Sequence, residues 1–140
     1  MSAIINFSEA YIIGVHSLVL IAQSSELINL ESIAEKGGVM KNHASKVLQV
    51  LVKKGVLNSY KGPSGGFVLS KNPEDINMLD LYEMIEGPIP ITQCPRGKEI
   101  CPFGNCLLGG VSEKLALEIR DFLKDKTLAD ILLGAPLMPE

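Results

Sequence analysis

The chain has 140 residues, a net charge of −3 and an apolar share of 46 %. That is the length of one ordinary domain with enough apolar material for a real core, so a multidomain reading is unnecessary. Three cysteines without a secretory pattern argue against a disulfide-stapled secreted fold, and reduced thiols suit a cytoplasmic protein.

The first element expected is a long apolar-rich helix over about 8–24, with Tyr11, Val15, Leu18 and Ala22 recurring at helical spacing. His16 and Ser17 interrupt its apolar run and Glu9 flanks it, so it is too short and too polar to cross a bilayer, and no membrane partner is expected. Asn29 can cap a short helix ending at Gly37-Gly38, and a second helix runs from about Lys41 to Lys54 and stops at Gly55. Short helix, glycine turn and longer helix is the grammar of a helix-turn-helix, which by itself is common in helical domains.

Val56–Tyr60 and Phe67–Leu69 are β-prone runs joined by the glycine-rich 61–66 segment, a hairpin directly behind a recognition-type helix and hence a wing. Asn77 then caps a helix over 78–86 with Asp80 as a capping-box partner, and Gly87-Pro88 ends it. After the cysteines, a helix over about 110–124 carries an apolar stripe of Val111, Leu115, Ile119 and Phe122 that asks for a partner surface, for which we expect a second copy of the chain. Thr127 to Asp130 opens a last short helix.

The fold expected is therefore mainly α with a small β-hairpin wing (α+β): a winged helix-turn-helix followed by a long C-terminal dimerisation helix. Within one domain of 1–140, residues 1–75 form the DNA-binding part, 76–109 a linker helix and the cysteine loop, and 110–140 the dimerisation helix and tail.

Charge supports a polyanion face despite the acidic average. Between Glu35 and Glu74 there is no acid, whereas Lys36, Lys41, Lys46, Lys53, Lys54, Lys61 and Lys71 all fall there. On the second helix Asn42, Ser45, Lys46, Gln49 and Lys53 share a polar face opposite Val47, Leu48 and Leu51. Asn42 and Gln49 have the amide geometry that reads adenine, while lysines, Lys41 included, neutralise phosphate. His43 lies on the same helix. In the wing, Lys61 and Ser64 supply donors, and Gly62, Gly65 and Gly66 let backbone amides approach a phosphate. The partner expected is double-stranded DNA with a pseudo-palindromic operator, its half-sites about 34 Å apart.

All three cysteines sit in one thirteen-residue loop, Cys94, Cys101 and Cys106, spaced C-x6-C-x4-C. Thiolates are the soft donors that zinc and iron–sulfur clusters select, and Pro95, Gly97, Pro102 and Gly104 keep the loop non-helical so that sulfurs can converge. The alternative is three free thiols, in a cluster-free or zinc-binding regulator that senses thiol oxidation or a partner protein. An enzyme or electron carrier is the reading from another class. The two histidines fall on different helices and no Ser/His/Asp or phosphate-loop motif is present, so we expect no catalysis.

The wing Gly62-Pro-Ser-Gly-Gly-Phe67, the preceding Val47–Leu51 and Lys54–Leu57, the Leu79–Tyr82 helix, the triple-cysteine loop and Thr127–Leu132 together resemble the Rrf-two family of bacterial winged-helix regulators, along nearly the whole chain and in order. The resemblance, closest to the cluster-binding branch, implies a homodimer built on the helix after the cysteines and an iron–sulfur cluster, 2Fe-2S in preference to 4Fe-4S, between the loop and the partner subunit. It implies promoter control by cluster state, with redox, nitric oxide or iron–sulfur status as signal. The family's cysteine spacing is close to x5 and x5, so here Cys101 is displaced by one residue. His43-Ala44 replace a common aromatic and leucine, and Met40 a usual capping residue. For the fourth ligand the resemblance points to His16 on the first helix of the partner subunit, with Glu9 second; Glu99 and Asn105 lie near the loop.

Overall fold

The structure, a computed structural model, describes residues 7–91 and 101–137. Six helices and a two-stranded hairpin follow one another as α1 (Glu9–Gln23), α2 (Leu30–Gly37), α3 (Lys41–Lys53), β1 (Leu57–Tyr60), β2 (Gly66–Leu69), α4 (Met78–Glu86), α5 (Val111–Lys124) and α6 (Leu128–Gly134), with one 3₁₀ turn at Pro73–Asp75.

Local chemistry explains most of the boundaries. Ser8 caps α1 by accepting the Tyr11 amide, and Asn29 caps α2 by accepting the Ser32 amide. Gly38, left-handed at φ 65°, closes α2 and returns its amide to the carbonyls of Ala34 and Glu35. Met40 precedes α3 without a side-chain cap, the consequence of its standing where a hydroxyl is usual. Thr127 and Asp130 form a complete capping box on α6. The Thr127 backbone amide holds the Asp130 carboxyl below its ordinary range, so this box is intact at neutral pH and opens as pH falls through that lowered value.

The expected capping box on α4 takes another form. The Asn77 Oδ1 accepts from both the Leu79 amide (2.9 Å) and the Asp80 amide (3.1 Å), while its Nδ2 reaches away to the carbonyl of Lys124 at 2.8 Å.

The core gathers α1, α2, α3, the base of the hairpin, α4 and α6 around Leu18, Ile33, Leu48, Leu51, Leu57, Leu81 and Leu128, all essentially inaccessible to water. Emptying one of these leucine sites to alanine costs about 2–5 kcal/mol. Tyr11 is buried here, stacked edge-on against Tyr82 at 5.0 Å, and its hydroxyl donates to the Met78 carbonyl at 3.2 Å.

The hairpin is antiparallel with Leu57 opposite Leu69 and Tyr60 opposite Gly66. Ile28, between α1 and α2, adds a bridge to Phe67 on the other edge, its carbonyl accepting the Phe67 amide at 2.9 Å. Gly66 is buried because this third segment passes so close: a Cβ there would lie 2.6 Å from the Ile28 carbonyl oxygen.

Within one chain the apolar stripe of α5 is only partly covered. Leu123 is its buried residue and Ile119 packs partly on the core, whereas Val111 and Phe122 are exposed. Just beyond Leu123, the chain after α5 is tied to the start of α4 by a bridge between Asn77 and Thr127.

Candidate nucleic-acid interface and cysteine loop

Ala44, Val47, Leu48 and Leu51 anchor α3 in the core, so its remaining faces are turned outward by helical periodicity. Lys41, Asn42, His43, Lys46, Gln49 and Lys53 are exposed and Ser45 is half-buried. Gln49 Nε2 donates to Ser45 Oγ at 3.1 Å, which holds that amide over the outer face of the helix one turn from Ser45. Two residues also make ion contacts. Lys41 Nζ lies 3.0 Å from Glu31, and His43 Nδ1 lies 3.5 Å from Glu9 on α1. All four side chains are more than half exposed, so these contacts are weak and easily exchanged for phosphate.

The wing presents Lys61, Gly62 and Ser64 to solvent, with Gly65 half-buried and Gly66 buried. A Cβ at Gly65 would collide with the Tyr60 carbonyl oxygen, so these last two glycines are required by the hairpin's own packing. The tip is closed by the Gly65 amide bonding to the Gly62 carbonyl at 3.0 Å. Two exposed residues at this surface were missed from the sequence: Tyr60, 56 % exposed beside Lys61, and Met40, 73 % exposed at the front of α3. Strand alternation carries the signal for Tyr60, since Leu57 points inward and places residues 58 and 60 on the outer face.

Of the loop cysteines, Cys94 lies outside the described residues, while Cys101 and Cys106 are half-buried free thiols. Each opens a tight turn, the Cys101 carbonyl accepting the Gly104 amide at 2.9 Å and the Cys106 carbonyl accepting the Gly109 amide at 3.1 Å. Among the described residues no three Cys, His, Asp or Glu side chains converge as a metal site. Accessible soft thiols in a non-helical backbone nevertheless suit a cluster or a zinc ion by their donor chemistry. Next to them in the chain Phe103, Leu107, Leu108 and Val111 are exposed, and Phe122 is exposed further along α5; so many uncovered large apolar side chains in one segment are unusual on an isolated soluble chain.

His16 is exposed on the outer face of α1, where Ile12 and Val39 help to line a hollow of about 80 Å³ beside it. Its Nδ1 lies 2.8 Å from the Ile12 carbonyl, which can only accept, so Nδ1 is the donor of that contact and, in the neutral imidazole, Nε2 carries the lone pair. Glu9 is exposed two turns before it. No helix among the described residues is long and apolar enough to cross a membrane.

The family model for Rrf2, described as an iron-dependent transcriptional regulator, matches residues 7–133. The regulator NsrR of Bacillus licheniformis is 32 % identical over 115 residues, covering 79 % of each chain. Among solved structures, IscR of T. potens superposes with a TM-score of 0.73 at 28 % identity, covering 94 % of this chain and 89 % of that one. CymR, described as the global cysteine regulator of B. subtilis, gives a TM-score of 0.77 at 21 % identity over 95 % and 100 % of the two chains, a likeness of fold. These relatives are regulators and not enzymes. With a winged helix-turn-helix intact and a family match along almost its whole length, the chain belongs to the Rrf2 family of transcriptional regulators.

Proposed function

We propose that this regulator is a homodimer that binds a pseudo-palindromic operator and whose affinity for it is set by an iron–sulfur cluster held by Cys94, Cys101 and Cys106, with His16 of the partner subunit as fourth donor. The observation that carries the reading is the separation of two surfaces. A lysine and amide face, with no acid on α3 or the wing themselves although Glu31 and Glu9 contact Lys41 and His43, lies on one part of the chain, and exposed apolar residues and the thiols lie on the cysteine loop and α5. The first has the chemistry of a DNA-reading surface and the second that of a dimer contact beside a soft-metal site.

Lys41, Lys46, Lys53 and Lys61 neutralise phosphates, Ser64 and the exposed wing-tip Gly62 add hydroxyl and backbone contacts while Gly65 and Gly66 shape the tip that presents them, and Asn42, His43, Ser45 and Gln49 face base edges. The loop thiols and the Nε2 of His16 are donors of the kind a cluster requires. When bound, a cluster supplies a link between subunits that oxidants, nitric oxide or iron scarcity can alter. Turning a DNA-binding population from 1:99 to 99:1 requires about 5.5 kcal/mol of difference between states, within reach of a few ligand contacts made in only one of them.

Anaerobic isolation followed by visible spectroscopy, iron and sulfide analysis and footprinting of the chain's own upstream region tests the reading. We expect sulfur-to-iron absorption, its loss in Cys94→Ala and Cys106→Ala with the dimer retained, and a weakened cluster in His16→Ala. Cys101→Ala should behave like its neighbours. Full cluster content in the Cys94 or Cys106 variant overturns the assignment, and colourless protein with stoichiometric zinc establishes the zinc-binding alternative.

A further inference from the structure

Four segments meet at residues 76–78. Met78 accepts the Tyr11 hydroxyl of α1 on its carbonyl and donates its amide to the Lys126 carbonyl at 2.9 Å, and the Leu128 amide returns to the Ile76 carbonyl at 2.8 Å. Between them Asn77 uses both ends of one side chain. Its Oδ1 accepts the first amides of α4, while its Nδ2 donates to the Lys124 carbonyl at 2.8 Å and, more distantly, to that of Lys126 at 3.4 Å. The partners settle the orientation of the amide, because amide N–H groups lie on one side and carbonyls on the other. A helix start and a helix end, each with unsatisfied backbone groups, are thereby joined through one residue.

The remainder of α5 is weakly held. Leu123 is its buried residue and Ile119 the partly buried one packed on the core, whereas the first two turns have no buried residue and none that joins the core, so they are held less tightly than its end. A helix of this length is about 21 Å long, and a tilt of roughly 10° at its attached end swings the free end by about 4 Å, close to the rise of one base pair. In a dimer formed through α5, an uncertainty of that size would blur the distance between two α3 helices meant to meet grooves about 34 Å apart. α4 itself is packed on α1 and α3, so whatever fixes α5 to α4 fixes it to the reading helix.

We infer that Asn77 is a positioning residue that sets the angle between α5 and the DNA-reading helix α3, and through it the half-site spacing the dimer accepts. This rests on the dimeric operator-binding reading. Asn77→Asp is isosteric and keeps the α4 cap but removes the donor to α5; Asn77→Ser keeps a cap without adding charge.

Two measurements on the full chain decide it. The first is binding to one half-site and to paired half-sites spaced at one turn, one turn plus one and one turn plus two base pairs. The wild type is expected to lose at least tenfold at the longest spacing, whereas both variants bind a lone half-site normally and stay within about threefold across the series. The second is the distance distribution between spin labels on ketone-bearing residues at Lys53 and Lys114, in labelled chains diluted with unlabelled ones. It should be narrow in the wild type and broad in the variants. Narrow distributions in both variants overturn the joint, as does a failure of both to fold, which would make Asn77 a folding residue. A flat spacing profile in the wild type itself refutes the dimeric reader, and the distances then judge the joint alone.

Discussion

Tyr11 shows how one side chain can bind two helices and record the fact in its titration. Burial, and then the neighbouring Tyr82, push its hydroxyl up from 10.0 to about 12. Because the folded value lies above the unfolded one, the stabilisation is fully present below pH 10 and is lost as pH rises towards 12. Relative to Tyr11→Phe, the wild type should therefore lose roughly 1.4 kcal/mol between pH 8 and pH 11. At neutral pH the Phe variant should be weaker by about 1 kcal/mol, the worth of the hydrogen bond to Met78. Urea unfolding midpoints across this range measure both, and parallel pH curves for the two proteins would refute the assignment. Buried Gly66 makes the complementary point, since its role in the wing is set by contact with Ile28, which lies far away in sequence.

For the elements, the proposed DNA-reading unit is the part in which local pattern and tertiary placement agree. Four core positions recur on one side of α3, and the lysines and amides fall on the other. Phosphate contacts position a protein whereas base contacts specify, so the two kinds of residue should separate experimentally. Lys61→Ala is expected to weaken binding to all sequences alike and to reduce the slope of log K against log salt by about 0.9. Gln49→Ala should instead cost about 1–3 kcal/mol on the best site and little on random DNA. Competition binding at several salt concentrations distinguishes them, and unchanged affinity in both variants would remove α3 and the wing from the interface.

At the scale of the whole molecule, the described apolar side chains divide between one buried core and an uncovered set at Phe103, Leu107, Leu108, Val111 and Phe122. If that uncovered set is the dimer contact, the double variant Leu107→Ser, Phe122→Ser should weaken self-association at least tenfold by sedimentation. Its two sites are exposed, so monomer stability should move by only about 0.5 kcal/mol at each. Half-site binding should survive while cooperative binding to paired half-sites is lost. An unchanged dimer would place the contact elsewhere and leave these exposed residues unexplained.

The helix boundaries, the presence of the hairpin and the inward and outward faces of α3 were legible in the sequence because each depends on neighbours a few residues apart: a capping Ser, Asn or Thr, a glycine stop, or an apolar spacing. The exposure of His16 was not, because its place on an apolar helix is equally consistent with core or surface until α2 and α3 are packed beside it. Nor was the burial of Leu123 beside the outward Phe122, or the second use of Asn77. A periodic pattern states that a helix has an apolar side, but which of two adjacent apolar residues is buried depends on which elements pack against it. Just beyond α5 the chain is tied by the bridge between Asn77 and Thr127, two residues fifty positions apart whose meeting only the tertiary structure decides.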